Sequence, residues 1–299
     1  MDRMSPKIPD VPYLPHLPPV PISTPQNLGL SPKQREAFPP FKEWLSAMQR
    51  SLSAQYTNSR HRHRDDPYIL RSIKITSCEL LADIPHQRPS FLKLAASVYN
   101  RDEFRFPESV SLYHPSLRVA ILVMLIPDDV PQSSAQDSQT GIMDEERYVA
   151  LTVQRCIPAG SLAFAQLPAG EIEDGCFQGD AAFTLHTSIF EPEITDKELV
   201  CLSDMAAMPV TESHRESEKL PPGMYLSPNE TNERISIYML ERRVPRETLE
   251  GWINFWTAPP EETPLRIVKM KDLWREGAHD AKCLAAAALW EGLRREGKL

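Results

Sequence analysis

The chain has 299 residues, enough for one large or two small domains, and its 41% hydrophobic and 25% charged residues are typical of a soluble globular protein. A formal net charge of −8 argues against nucleic acid and against an anionic membrane surface as partners. The longest apolar run, Val119 to Pro127, is too short to span a bilayer.

The five cysteines are scattered, odd in number and without a CxxC pair. This pattern favours reduced thiols over a zinc site or a disulfide framework. The beginning of the chain lacks the charged and then apolar pattern of a secretory signal. Together these features predict a cytoplasmic protein.

Residues 1–40 contain 11 of the 29 prolines, which predicts an extended or disordered arm. Apolar residues at helical spacing predict a first helix from Phe41 to Gln55. Strand patterns follow, and one continuous apolar run predicts a strand buried on both faces. The predicted strands are Tyr68–Leu81, Phe91–Tyr99, Ser109–Tyr113, Arg118–Ile126 (the continuous run), Tyr148–Gln154, Ile235–Met239 and Leu265–Met270.

Residues 128–146 have the composition of a surface loop, and residues 179–190 have a helical pattern. A last helix begins at Asp280, whose side chain can cap it. The mixture of strands and a few helices predicts an α+β fold. The predicted organisation is an arm (1–40), a helix with a β-rich subdomain (41–127) and a further domain (147–299).

A glycine-rich segment precedes the helix predicted at residues 179–190. It reads Leu167-Pro168-Ala169-Gly170, with Gly175 and Gly179 downstream. On the helix, Thr184, Thr187 and Ser188 have the i, i+3, i+4 spacing that places them on one face. Three glutamates at such positions would converge on Mg²⁺, whereas three hydroxyls carry no charge to attract it.

This segment resembles a Nudix box, in which a glycine-rich loop precedes a helix reading Arg-Glu-x-x-Glu-Glu-x-Gly. All three glutamate positions hold hydroxyl residues here. From about residue 35 onwards the chain is similar to Nudix proteins of the ADP-sugar diphosphatase type, particularly fungal forms. The motifs that carry the similarity are Phe41–Leu45, Asp66–Tyr68, Ile157–Gly160, Leu167–Gly170, Arg243–Arg246, Asp272–Glu276 and Asp280–Lys282.

The resemblance implies an α/β/α Nudix sandwich with an N-terminal β-rich extension. Such extensions often serve dimerisation in this family, so a homodimer is one expectation. Other family positions depart from the pattern. The substrate-contacting arginine of the family falls on Cys156, with Arg155 one place off, and Phe190 replaces the glycine that ends the box. In the loop after Tyr225, the family's glycine is Asn229 and its aspartate is Asn232, while Glu233 persists.

Because the losses fall on chemistry positions, the resemblance favours a rebuilt site over a decaying one. We expect a metal-free enzyme, an isomerase, cyclase or lyase of specialised (secondary) metabolism, that needs no cofactor and acts on a small, apolar substrate. The candidate acid–base groups are His186, Glu233, Tyr225 and Glu171, and the candidate substrate contacts are Arg155, Cys156, Phe183 and Phe190. We predict that His186 and Glu233 lie near a common pocket.

Two alternatives remain open at this point. One is a non-catalytic ligand-binding or regulatory protein that keeps a pocket. The other is a divergent Mg²⁺-dependent nucleoside-diphosphate-sugar hydrolase with a displaced metal. Its ligands would come from the acidic residues that flank the box helix, which are Glu171, Glu173, Asp174, Glu191 and Glu193.

Overall fold

The computed structural model describes residues 20–81, 88–101, 108–114, 117–131, 146–173, 176–188, 194–207, 220, 223–255 and 264–299. The described residues form two largely antiparallel sheets together with several helices, which confirms the α+β class. None of the described helices is both long and apolar enough to cross a membrane. The chain divides into an amino-terminal unit (Met1–Ser116, Arg215–Pro221 and Tyr225–Arg234) and a carboxy-terminal unit (Leu117–His214, Pro222–Met224 and Ile235–Leu299).

The amino-terminal unit is one sheet with a helix packed on it. The sheet has the order β1-β2-β3-β4, in which β1 is parallel to β2 and the other pairs are antiparallel. Phe41 and Leu45 of the long helix α2 pack against Ile73 and Leu92 of the sheet, and all four side chains are buried. The elements are β1 (Ile22–Ser23), α1 (Pro32–Ala37), α2 (Pro39–Thr57), β2 (Ile69–Leu81), β3 (Arg88–Tyr99) and β4 (Glu108–Tyr113).

The described part of the proline-rich arm contains the short extended strand β1 and also the helix α1, which the sequence did not predict. Ser31 Oγ accepts a hydrogen bond from the Gln34 N–H at 3.2 Å, and the Ser31 N–H donates to Gln34 Oε1 at 2.9 Å. This reciprocal cap starts α1, and Pro32 takes the first helical position, where a missing N–H costs nothing. Residues 1–19 lie outside the described part of the chain.

The carboxy-terminal unit is a larger sheet with helices on both faces. Five of its strands pair in the order β10-β12-β5-β6-β13. The other four extend the sheet, because β7 pairs with β6, β8 with β5, β9 with β8 and β11 with β12. Its strands are β5 (Leu117–Pro127), β6 (Tyr148–Cys156), β7 (Ser161–Gln166), β8 (Ala169–Glu173), β9 (Cys176–Gln178), β10 (Val200–Cys201), β11 (Met224–Tyr225), β12 (Arg234–Val244) and β13 (Leu265–Lys269). Its helices are α3 (Asp180–Ser188), α4 (Leu202–Ala207), α5 (Arg246–Phe255), α6 (Leu273–Glu276) and α7 (Ala281–Arg295).

Strand β5 is buried on both faces, as its continuous apolar run predicts. Ala120, Leu122 and Met124 face the core that Trp290 and Leu293 of α7 complete. The alternate residues of β5 face the core that contains Leu185 of α3 and Leu249 of α5. Helices on both faces also explain why β12 is buried from Arg234 to Ile237, where the sequence predicted a half-buried strand.

The unit boundary differs from the boundary expected from the sequence. The sequence grouped β5 with the strands before it, in a subdomain ending at residue 127. In the structure β5 pairs with β6 and β8 of the second sheet, and the boundary falls between Ser116 and Leu117. A strand's apolar pattern shows that it is buried but does not show which sheet buries it.

Candidate functional site

The glycine-rich segment forms the tight β8–β9 hairpin that leads into α3. A Cβ atom added to Gly170 would lie 2.0 Å from the backbone oxygen of Gln178, so the two strands can approach this closely only with glycine. Gly179, just before α3, has φ +109°, a conformation that favours glycine. The backbone geometry of the hairpin therefore explains both glycines without a bound phosphate.

Helix α3 carries the positions at which the resembled box holds glutamates. The Thr184 hydroxyl donates to the backbone oxygen of Asp180, one turn earlier, at 2.8 Å. Phe183 is 69% exposed, His186 is exposed and Leu185 is fully buried in the core. Thr187 and Ser188 continue the helix. Among the α3 side chains whose exposure the structure describes, Asp180, Phe183 and His186 are exposed.

The candidate substrate contacts lie at the end of β6. Arg155 is exposed and Cys156 is half-buried. The β6–β7 register shifts by one residue here, because Gln154 pairs with Phe164 whereas Cys156 pairs with Ser161. Such an irregularity redirects side chains locally. Phe190, the fourth expected contact, lies outside the described residues.

The acidic residues considered for a displaced metal are only partly described. Glu171 is exposed on β8, opposite Gln178 of β9, and Glu173 ends β8. Asp174, Glu191 and Glu193 lie outside the described residues. Across the part of the chain that the structure covers, no three His, Cys, Asp or Glu side chains group closely enough to hold a metal ion.

The remaining acid–base candidates, Tyr225 and Glu233, belong to the amino-terminal unit, whereas His186 and Glu171 belong to the other unit. Tyr225 lines a cleft of about 600 Å³ within the amino-terminal unit. Glu233 is half-buried and is not among the residues of the cleft wall, and its backbone oxygen accepts from the Leu226 N–H at 3.4 Å. A common pocket for His186 and Glu233 stays a prediction.

The cleft has three walls, which come from α2, from β4 and from the segment Tyr225–Arg234. Its size falls within the range of sites that take a small organic molecule. The chemically distinctive wall residues are two aromatic residues, three carboxylates and one guanidinium. They are Trp44 and Tyr225; Glu43, Glu108 and Glu230; and Arg234.

The segment Tyr225–Arg234 is held against the edge of β4 by backbone and side-chain hydrogen bonds. The Ser111 N–H donates to the Glu230 oxygen at 2.8 Å, and the Asn232 N–H donates to the Ser111 oxygen at 3.1 Å. The Asn232 side chain continues this pairing, because Oδ1 accepts from the Tyr113 N–H at 2.7 Å and Nδ2 donates to the Tyr113 oxygen at 3.4 Å. The side-chain amide of Asn232 therefore pairs with Tyr113 as the backbone of a neighbouring strand would.

An ion pair lies in the wall of the cleft. Arg234 Nη2 lies 3.1 Å from Glu43 Oε2, and the two side chains are 8% and 50% exposed, respectively. A buried guanidinium needs such a partner, because leaving it unpaired would cost several kcal/mol, on the order of 3–5. The pair links α2 to the start of β12 and fixes the position of the Glu43 carboxylate in the wall.

Sequence reasoning found Tyr225 but missed its neighbours in the cleft. The helical spacing predicts that Trp44 lies on the core face of the first helix, and in the structure it packs against that core and also lines the cleft. Glu108 and Arg234 lie in none of the motifs, and Glu43 lies in the Phe41–Leu45 motif without an assigned role. Nothing in the sequence links α2 with a segment about 180 residues later, so this constellation follows only from the tertiary structure.

Comparison with known proteins finds structural similarity but no sequence match. No family model matches the chain, and no curated protein matches it. Among solved structures, the chain is similar to one described as an ADP compounds hydrolase, with a TM-score of 0.37 and 14% sequence identity. That similarity covers 77% of this chain and 98% of the other. At this TM-score and identity, neither fold nor activity transfers to this protein.

Proposed function

We propose that this protein binds a small organic molecule in the cleft of its amino-terminal unit, on a Nudix-like framework that has lost metal-dependent diphosphate hydrolysis. One observation carries the binding proposal. Tyr225, a residue that the motif comparison singled out, lines a cleft of about 600 Å³ together with Trp44 and the Arg234–Glu43 ion pair. Aromatic walls with a few fixed polar groups are typical of small-molecule sites.

The loss of hydrolysis is inferred from the box helix. The three hydroxyl residues remove about three negative charges from the face that would clamp Mg²⁺, and the Thr184 hydroxyl is engaged by its own helix. We expect the pure protein to release no AMP from ADP-ribose at an enzyme-like rate with Mg²⁺ or Mn²⁺. Robust metal-dependent AMP release would instead establish the displaced-metal hydrolase. Calorimetry with Mn²⁺ checks the same point, and a site of micromolar affinity would contradict the proposal.

The binding half is tested with phenyl-bearing fragments that are neutral, cationic or anionic, observed by saturation-transfer NMR on the full-length protein. We expect at least one fragment to bind and to lose binding in Tyr225→Ala and in Ser109→Trp, which fills the cleft from an exposed position on β4. Trp274→Ala is the matched control, because Trp274 is 56% exposed and belongs to the carboxy-terminal unit. Binding that both cleft variants retain would overturn the proposal.

A metal-free isomerase, cyclase or lyase of specialised metabolism is the second candidate. The observation that favours it is the Tyr225 phenol in the same cleft as the Glu43 carboxylate, since such groups can move protons without a metal. In that case Tyr225→Phe should preserve binding but slow conversion of the bound molecule by about 10²–10⁴-fold. His186→Ala, Glu233→Gln and Glu171→Gln test the other acid–base candidates, and unchanged turnover in all of them would remove these residues from the mechanism.

A further inference from the structure

We infer that the cleft of the amino-terminal unit selects a ligand that carries an ammonium group on an apolar or aromatic body. This inference rests on the proposed binding function and adds the charge of the ligand. It depends on which groups the cleft walls present and on which of them are already paired. A preference for a cationic ligand distinguishes this cleft from a nucleotide-diphosphate site, which needs positively charged protein groups.

The carboxylates come from all three walls. Glu43 lies on α2, Glu108 begins β4, and Glu230 lies in the segment Tyr225–Arg234. Because each belongs to a different element, their negative charges surround the cleft. Glu108 and Glu230 are exposed and have no ion-pair partner among the described residues, so both remain available to a ligand.

The guanidinium of Arg234, which lines the cleft, is already paired with a carboxylate. The Arg234 side chain is only 8% exposed, and its guanidinium lies 3.1 Å from Glu43. An anionic ligand would have to displace Glu43 from this buried partner while it approached Glu108 and Glu230. A cationic ligand needs neither change, since it meets the Glu108 and Glu230 carboxylates beside a Glu43–Arg234 pair that is neutral overall.

The aromatic residues complete this preference. Trp44 from α2 and Tyr225 from the segment Tyr225–Arg234 both line the cleft. An ammonium group over an aromatic face gains about 0.5–1 kcal/mol at exposed sites and more when it is desolvated. The two rings and the side chain of Met48 also supply apolar surface for the rest of the ligand. Carboxylates with aromatic rings are the combination that recognises organic cations.

The test uses three fragments with a common phenyl body: 2-phenylethylammonium, neutral 2-phenylethanol and anionic 3-phenylpropanoate. Affinities for the full-length protein are measured by calorimetry or NMR titration. We expect the cation to bind at least about fivefold more tightly than the alcohol, and the anion to bind most weakly. The preference should shrink as salt is raised, because exposed carboxylates are screened.

Variants assign the preference to the cleft. Glu108→Gln and Glu230→Gln should each weaken cation binding by about two- to fivefold and leave 2-phenylethanol unchanged. Glu247→Gln, an exposed glutamate on α5 in the other unit, should change neither affinity. The inference is overturned if the alcohol or the anion binds as tightly as the cation, or if neither cleft variant lowers the preference.

The outcomes of these measurements distinguish the charge selectivity of the cleft from the proposed binding function on which it rests. Equal binding of cation and alcohol, lost in Ser109→Trp, would retain the binding function and reject the charge selection. Absence of binding by all three fragments at millimolar concentration would reject both. Preferential cation binding that disappears in Ser109→Trp and weakens in both glutamine variants would support both.

Discussion

Asp280 and Leu167 are joined by a hydrogen bond that ties the start of the glycine-rich segment to the last helix. Asp280 Oδ2 accepts from the buried backbone N–H of Leu167 at 3.0 Å. The other carboxylate oxygen caps α7, accepting from the Lys282 N–H at 3.1 Å and from Lys282 Nζ at 2.7 Å. Two motifs more than 100 residues apart in the sequence therefore form one structural unit.

We predict that Asp280→Ala lowers the free energy of unfolding by about 2–4 kcal/mol. Loss of a helix cap costs about 1 kcal/mol, and the unpaired N–H of Leu167 adds about 1–3 kcal/mol. Denaturant unfolding measures the change. Asp272→Ala is the control, because the carboxylate of Asp272 makes only a partly exposed ion pair with Arg275 at 3.7 Å. Equal losses in the two variants would contradict the special role of Asp280.

Cys283 belongs to the same cluster. Its Sγ lies 3.4 Å from Asp280 Oδ2, and burial, reinforced by the Asp280 charge, raises the pKa of the thiol. We predict that Cys283 resists alkylation at pH 8 in the folded protein, because the reactive thiolate is not formed there. Mass spectrometry after brief iodoacetamide treatment checks this. Rapid modification of Cys283 in the native protein would show that the core opens around α7.

We predict that Gly170→Ala strongly destabilises the protein, by roughly 2 kcal/mol or more, because its Cβ would collide with the Gln178 backbone oxygen. Gly251→Ala is a matched control, since Gly251 lies on α5 with nothing within 4 Å of an added Cβ. That substitution should be neutral or stabilising by up to about 1 kcal/mol. Thermal unfolding of the two variants distinguishes the steric effect from a general effect of replacing glycine.

Local sequence signals predicted part of the framework. The continuous apolar run of β5 and the Asp280 cap of α7 are each visible within a few adjacent residues, although the burial of β5 comes from distant strands and helices. The hairpins β7 to β9 and the helix α5 were missed. The hairpin strands are short, with burial that lacks clear alternation, and are held by pairing with β5 and β6. Helix α1 was not predicted, because the high proline content indicated extended chain although Ser31 and Gln34 form a capping box.

The cleft was beyond sequence reasoning for a different reason. Asn229 and Asn232 were read together as lost chemistry at a family site. In the structure Asn232 has a specific structural role, since its amide pairs with both backbone groups of Tyr113. A carboxylate at this position can accept from the N–H but cannot donate to the oxygen. Asparagine at position 232 therefore fits docking of the segment on β4, which no motif comparison reveals.

We predict that Asn232→Asp lowers the free energy of unfolding by about 1 kcal/mol and weakens ligand binding in the cleft. The aspartate loses the bond to the Tyr113 oxygen and places a negative charge beside that carbonyl. Asn229→Asp makes the same chemical change at an exposed position of the same segment and should have little effect on stability. Two equally stable variants would show that the Tyr113 bonds do not hold the segment.

Arg246 pairs with carboxylates on both sides of the segment 132–145. It donates to Asp129 at 2.8 and 3.0 Å and to Glu146 at 3.0 Å. The hydrogen bond from Arg246 holds the pKa of Asp129 below its usual value. A carboxylate with a depressed pKa stabilises the fold above its unfolded-state pKa, and this contribution is lost as pH falls through the folded-state value.

We predict that Arg246→Ala returns the pKa of Asp129 towards its ordinary value and removes this part of the acid dependence of stability. Carbon-detected NMR titration of the carboxyl group measures the pKa directly. Arg266→Ala, which removes an ion pair with Glu276 elsewhere, should leave the Asp129 titration unchanged. An unaltered Asp129 pKa in Arg246→Ala would show that this pair is not formed in solution.

A gain-of-function variant tests whether Thr184, Thr187 and Ser188 of α3 stand at the glutamate positions of the resembled box. In the variant Thr184→Glu, Thr187→Glu, Ser188→Glu, three carboxylates take the i, i+3, i+4 positions of one helix face. Because Mn²⁺ and Mg²⁺ prefer carboxylate oxygens, we expect this variant to bind Mn²⁺ at least about tenfold more tightly than the natural protein in calorimetry. The corresponding triple glutamine variant has the same side-chain length without the charge, and we expect it to bind no better than the natural protein. If the glutamate variant folds and shows no gain in Mn²⁺ affinity, the three hydroxyl residues do not occupy positions equivalent to the metal-binding glutamates of a Nudix box.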